Sequence, residues 1–158
     1  MRRVNAFFFA LMAGLVVLDQ AAKFIVVRTI PLYGSVPVIR GFFDITHIRN
    51  TGAIFGLFNR SGAKGVTIVL VLASLTAMAL VAAYFFRTPA DQRWTKTALS
   101  LILAGAVGNQ IDRLFRGYVV DFLEMRIKSF AWPTYNVADA CISIGAVLLA
   151  AIVVFRRP

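Results

Sequence analysis

The chain has 158 residues, 59% of them hydrophobic and 15% charged, with a mean hydropathy of +0.78 and a net charge of +10. Soluble domains run nearer roughly 45–50% apolar and about 25% charged. The composition therefore excludes an ordinary soluble globule, a disordered tail and, despite the basic balance, a nucleic-acid module. A membrane span takes about 20 apolar residues, so four spans and two loops would account for the whole chain as a single membrane-embedded domain, residues 1–158.

In chain order, the first apolar run covers residues 4–27 and carries only Asp19 and Lys23 as charges. Arg2 and Arg3 ahead of it imitate a secretory leader, but the pattern runs past Lys23, longer than a leader's apolar region, and reads as an uncleaved first helix. Residues 28–64 form a first loop segment. Within it, 35–49 is rich in β-branched and aromatic residues broken by Pro37 and Gly41, which predicts short strands in a small sheet on the membrane surface. The second span, Gly65–Phe86, has 22 residues without a charge and is closed by Arg87. A short third span covers 95–111 and a fourth 137–155; none of the four contains proline. Between the last two, residues 112–136 mix Val119, Val120, Phe122 and Leu123 with charges and are expected to lie partly buried at the interface.

Four spans put both termini on one side. The termini and the 87–96 loop hold seven cations in very short segments: Arg2, Arg3, Arg87, Arg93, Lys96, Arg156 and Arg157. The opposite segments hold nine spread over a much longer stretch. Short loops next to spans set orientation, so both termini are expected on the cytoplasmic side.

One cysteine, Cys141, and one histidine, His47, leave no Cys-based cage and no clustered zinc ligands. Cys141 is read as a packing residue, His47 as a loop residue. No metal or cofactor is expected. The scarce groups are the acids, seven in all. At about 1.5 Å of rise per residue, Asp19 lies roughly 22 Å along the first span. Asn109 and Asp112 lie roughly 20 and 24 Å along the third, and Asp139 roughly 24 Å from the inner end of the fourth. Three helices thus bring polar groups to one outer level, where ionisable residues mark a site or a wet cavity.

Each group has a plainer reading. Asp19 and Lys23, spaced i,i+4, form either a simple helix pair or part of a site. Asn136 and Asp139 have the spacing of an N-cap with an acid at N3, and Asp112-Arg113 that of an ion pair at a helix end. Glu124 and Lys128 fit a pair on a helical turn, and Ala104 with Gly108 a helix-packing face. Asp121 is harder to dismiss, because Val119-Val-Asp-Phe-Leu123 sets a lone carboxylate among large apolar neighbours. Asp121 and Asp139 together suit two acids that share a proton for general acid/base work. A proton-coupled transporter would put its key acid nearer the midplane, and an assembly subunit needs no converging acids at all.

The chain resembles the lipoprotein signal peptidases, or signal peptidase II, along nearly its whole length. The resemblance rests on five blocks in order: Asp19-Gln-Ala-Ala-Lys23, Asn50-Thr-Gly-Ala-Ile-Phe-Gly56, Gly108-Asn-Gln-Ile-Asp-Arg113, Gly117-Tyr-Val-Val-Asp-Phe122 and Trp132-Pro-Thr-Tyr-Asn-Val-Ala-Asp139. It implies four transmembrane helices with a small periplasmic β-sheet, and an aspartic endopeptidase of the bacterial inner membrane with its site near the periplasmic face. The implied reaction cleaves diacylglyceryl-modified prolipoproteins just before the lipidated cysteine. The implied dyad is Asp121 and Asp139, and the implied positioning or supporting residues are Asp19, Asn50, Asn109, Arg113 and Asn136. Expected partners are the lipidated precursor and membrane lipids, with no nucleic acid; the expected state is a monomer.

Overall fold

The computed structural model describes residues 2–51, 63–128 and 130–155. Expectations that fall on 52–62, including Arg60 and the Gly52–Gly56 part of one block, and on Arg156 and Arg157, lie outside the described residues. So do the side chains of Arg2, Arg3 and Lys64.

Four helices and a four-stranded antiparallel sheet make up the described chain: α1 (Arg2–Thr29), β1 (Ser35–Ile39), β2 (Phe43–Asn50), α2 (Ala63–Arg87), α3 (Arg93–Arg116), β3 (Val119–Ile127), β4 (Phe130–Ala131) and α4 (Val137–Phe155). The strands lie in the order β1-β2-β3-β4. The Asn5–Thr29 stretch of α1 and all of α4 are long and apolar enough to cross a membrane. Large apolar side chains stay exposed on the helix surfaces, among them Val17 and Ile25 on α1, Val69 and Leu80 on α2, and Val147 and Val154 on α4. Apolar exposure on this scale marks a contact surface rather than a water-facing one.

The core divides in two. Phe8, Phe85, Leu99 and Leu103 fill the end of the bundle away from the sheet, with Phe8 and Phe85 packed edge-to-face at 6.0 Å. At the sheet end, Val26, Val120 and Phe122 join α1 to β3. α3 stops because Gly117 adopts a left-handed conformation (φ 77°) and returns its N–H to Arg113 O at 3.2 Å. That turn costs a residue with a Cβ more than glycine, and it sends the chain directly into β3. In β2, the register with β3 slips between Ile45 and Ile48, so one extra residue bulges. Thr46 and His47 are consequently both buried, although neighbours on a regular strand would face opposite ways.

Several local expectations need correction. His47 is not a loop residue: it sits in β2, 3% exposed, with Nδ1 2.9 Å from Ile30 O. Asp112 pairs with Lys23 and Arg116 rather than Arg113, because a residue four positions on shares its helix face and the next residue does not. Residues 119–127 form a strand, so Glu124 meets Arg126 at 3.0 Å across a period of two, not Lys128 across a helical turn. The third helix is also longer than the apolar run that announced it.

α3 and α4 approach closely through glycines. A Cβ on Gly105 would collide with the Ala138 carbonyl oxygen, and one on Gly145 would lie 2.7 Å from Ala98 O. Gly→Ala in an unobstructed helix gains roughly 0.5–1 kcal/mol, but here the obstacle is backbone and the helices must separate. Gly105→Ala should therefore destabilise by about 1–3 kcal/mol, read as a lower melting temperature in detergent. Gly14→Ala, with nothing within 4 Å of its Cβ, should be neutral or stabilising. An unchanged melt for Gly105→Ala would show that the contact is relieved at no cost.

Candidate active site

Asp139 enters the site through its helix cap. Its N–H donates to Asn136 Oδ1 at 2.9 Å, and Asn136 N–H donates back to Asp139 Oδ2 at 3.3 Å, a reciprocal capping box that starts α4. The capping reading of this spacing is thus correct, yet one carboxylate oxygen is left over. Asn109 on α3 donates its Nδ2 to that oxygen, Oδ1, at 2.7 Å.

Asp121 arrives from β3, opposite Ile48 of β2, and is 1% exposed. Asn136 Nδ2 donates to its Oδ1 at 2.7 Å, and Asn50 Nδ2, from the end of β2, donates to its Oδ2 at 2.9 Å. Asn136 therefore touches both carboxylates, Asp121 through its side-chain amide and Asp139 through its backbone N–H. Burial pushes the Asp121 carboxyl up to about 6; the hydrogen bond from Asn50 pulls it down, the neighbouring Asp139 charge raises it, and Asn136 and the Lys23 charge lower it.

Behind the pair lies a buried ionic cluster. Lys23 Nζ is 2.8 Å from Asp19 Oδ2, 3.0 Å from Asp112 Oδ2 and 3.1 Å from Asn109 Oδ1. Asp19 Oδ1 accepts the N–H of Ala138 at 3.0 Å, beside Asp139, and Asp112 Oδ2 accepts the N–H of Val120, beside Asp121, at 3.1 Å. Gly108 lets Asp19 come this close: a Cβ there would lie 2.7 Å from Asp19 Oδ2. The Asp19–Lys23 pair is thus both an i,i+4 pair and a link across helices. Removing one partner of such a buried group typically costs about 3–5 kcal/mol.

The structure brings together six of the seven residues named from the sequence. Asp19, Asn50, Asn109, Asp121, Asn136 and Asp139 join one hydrogen-bonded network, connected through Lys23. Arg113 is half-buried on α3, and among the described residues its side chain has no hydrogen-bond or ion-pair partner. Sequence reasoning sets Asp112 at this polar level without making it a site residue, and it misses Gln20, whose Nε2 donates to Asp19 Oδ2 and Gly108 O at 3.1 and 3.0 Å. The signal available in advance was the mere excess of polar residues at one depth.

Two openings flank the acids. A cavity of about 490 Å³, lined by Phe42, Met125, Trp132, Tyr135 and Ile144 among others, reaches Asp139. A more polar cleft of about 340 Å³, lined by Arg49, Asn50, Thr51 and Thr134, reaches Asp121. A larger space lined by Phe7, Phe8 and Trp94 lies at the far end of the bundle, away from both acids. Among the described residues no three His, Cys, Asp or Glu side chains gather as a metal site; amide N–H groups face the carboxylate oxygens instead.

A helical bundle with a small sheet at one end is the architecture of a class of bacterial membrane enzymes. Two structures described as a bacterial membrane enzyme, solved by the in meso method at 1.9 and 2.3 Å, superpose with TM-scores of 0.80 and 0.76. They share 32% and 33% identity, over 96% of this chain and 95% and 88% of theirs. The family model described as Signal peptidase (SPase) II matches residues 11–155. The lipoprotein signal peptidase of Geobacter sulfurreducens is 42% identical over 150 residues, covering 95% of this chain and 92% of that protein. That of Geobacter metallireducens is 46% identical over 134 residues, 85% and 82% of the two chains. This chain belongs to the signal peptidase II family.

Proposed function

We propose that the chain removes the signal peptide from diacylglyceryl-modified prolipoproteins, cleaving just before the lipidated cysteine, with Asp121 and Asp139 as its dyad. One observation carries the assignment: Asn136 hydrogen-bonds both carboxylates, Asp121 with its side-chain amide and Asp139 with its backbone N–H, which sets an acid from β3 beside an acid from α4. One carboxylate takes a proton from water as its oxygen attacks the scissile carbonyl. The other, protonated, donates to the developing oxyanion. As the tetrahedral intermediate collapses and the C–N bond breaks, a dyad proton passes to the leaving amine. The raised Asp121 carboxyl supports a pair that keeps one proton in weakly acidic surroundings.

The four helices span the bacterial inner membrane with both termini cytoplasmic and the sheet on the periplasmic face. The exposed apolar helix surfaces and the sequence's short-loop cations support this placement. The dyad then lies near the outer lipid boundary, where the acyl chains stay in the bilayer and the aromatic-lined cavity beside Asp139 receives the residues next to the scissile bond.

The test is incubation of purified full-length protein with diacylglyceryl-modified precursor in micelles, followed by N-terminal sequencing of the product. The expected new N-terminus is the lipidated cysteine. Unmodified precursor should react at least ~10–100-fold more slowly, because remote binding energy positions the reacting centre. Cleavage elsewhere, or equal rates for the two precursors, would count against the proposal.

A further inference from the structure

Lys23 has no exposure and meets three acceptors: the carboxylates of Asp19 and Asp112, whose two negative charges exceed its one positive, and the neutral amide oxygen of Asn109. An ammonium can only donate, and a carboxylate can only accept. Lys23 therefore requires Asn109 to turn its oxygen inward, which leaves Nδ2 for Asp139 Oδ1 at 2.7 Å. The terminal amide torsion is soft and roughly two-fold, so without such a constraint a flip would set oxygen against carboxylate. Asn136 Nδ2 favours the same orientation at 3.2 Å, but its two N–H groups are also drawn by Asp121 Oδ1 at 2.7 Å and Val120 O at 3.4 Å.

We propose that Lys23 is a positioning residue for the peptidase reaction: through Asn109 it sets which end of the amide faces Asp139, and so keeps that carboxylate aimed. The proposal rests on the reading of Asp121 and Asp139 as the working pair. The charged groups around Lys23 are Asp19 on its own helix, Asp112 on α3 with Arg116 at 3.6 Å from its other oxygen, and Asp121 on β3, which feels the Lys23 charge. Asp139 on α4 is reached by way of Asn109.

Lys23→Met alone strands two buried carboxylates, so the deciding variant combines Lys23→Met with Asp112→Asn, which preserves the cluster's net charge. Asp112→Asn alone retains the Lys23–Asn109 contact and is the comparison. The full-length proteins are assayed in micelles for kcat, KM and the pH–rate profile on diacylglyceryl-modified precursor, with folding checked by a cooperative melt. In the double variant kcat should fall ~10–100-fold with KM within about threefold. Its acidic limb should move up by about one pH unit, because the acid pair, which titrates as a unit, loses an oriented amide donor to its charged form. Lys23→Arg should restore most of the profile. A folded double variant with the wild-type limb overturns the proposal, as does an equal displacement in Asp112→Asn alone. If the double variant does not fold, Asn109→Ser carries the test: it leaves Lys23 its carboxylates yet removes the amide, and an unmoved limb there overturns the proposal. Failure of the wild-type chain to cleave would instead remove the acid-pair reading, and this proposal with it.

Discussion

Asp121→Asn and Asp139→Asn, made singly, should each reduce cleavage of lipidated precursor on the order of 10⁴-fold or more while leaving the protein folded. Asparagine is nearly isosteric with aspartate but neither accepts a proton as a base nor releases one at neutral pH. Attack by water and protonation of the leaving amine both use the pair, so losing either member stops the cycle. The double variant should be scarcely slower than either single one, since groups that act as a unit are strongly non-additive. Asp44→Asn, on β2 beside Arg126 at 3.7 Å, and Asp91→Asn, in the turn before α3, should leave cleavage near normal. They control for loss of negative charge. Asp19→Asn should fall between, because Asp19 touches Lys23 and the Ala138 N–H rather than the reaction volume. Substantial turnover by well-folded Asp121→Asn or Asp139→Asn would falsify the dyad.

The same substitution has a stability signature with a definite sign. Asp121 rises from 3.8 to about 6 on folding, through burial first. The folded protein therefore binds this proton more tightly than the unfolded chain does. The resulting stabilisation is complete below about 3.8 and is lost as pH rises through about 6. Melts between these values should show wild-type stability declining with pH, and Asp121→Asn should flatten that slope.

Asn136→Ala should produce the second large effect, and by two separable routes. It removes the cap of α4, worth about 0.5–2 kcal/mol, and it removes the donor that holds Asp121 Oδ1 and joins the two acids. Cleavage should fall ~10²–10³-fold, the scale seen when a preorganised polar group is deleted from a reaction site. Asn136→Ser distinguishes the routes. Serine caps helices as well as asparagine does, but its hydroxyl is too short to reach both Asp139 N–H and Asp121. Its melt should therefore stay near wild type while its rate falls nearly as far as that of alanine. Full activity in Asn136→Ser would reduce this residue to a cap.

Much of the site was legible as residue types and depths. Helical rise alone brought Asp19, Asn109 and Asp139 to one level, because depth along a straight helix is a linear function of position. Asp121 stood out because an isolated acid among Val119, Val120 and Phe122 is costly unless something uses or satisfies it. The direction in which side chains point was not legible. Local spacing pairs Asp112 with its chain neighbour, whereas it meets Lys23, 89 positions earlier in the chain on another helix. The loop reading of His47 fails because a bulge places consecutive residues on the buried side, which no period-two pattern anticipates.

By itself, then, the sequence determined the apolar bundle, the strand-forming 35–49 segment, the capping box at Asn136 and Asp139, and the shortage of acids that makes each one significant. Those properties follow from local spacing and composition, which the chain carries before it folds. Only the tertiary structure decided that β3 runs antiparallel to β2 and delivers Asp121 to the end of α4, and that Lys23 reaches α3 to turn one amide. Pairing between distant elements depends on register, helix rotation and close approach at Gly105 and Gly108. A one-residue shift in any of these would point the same side chains elsewhere.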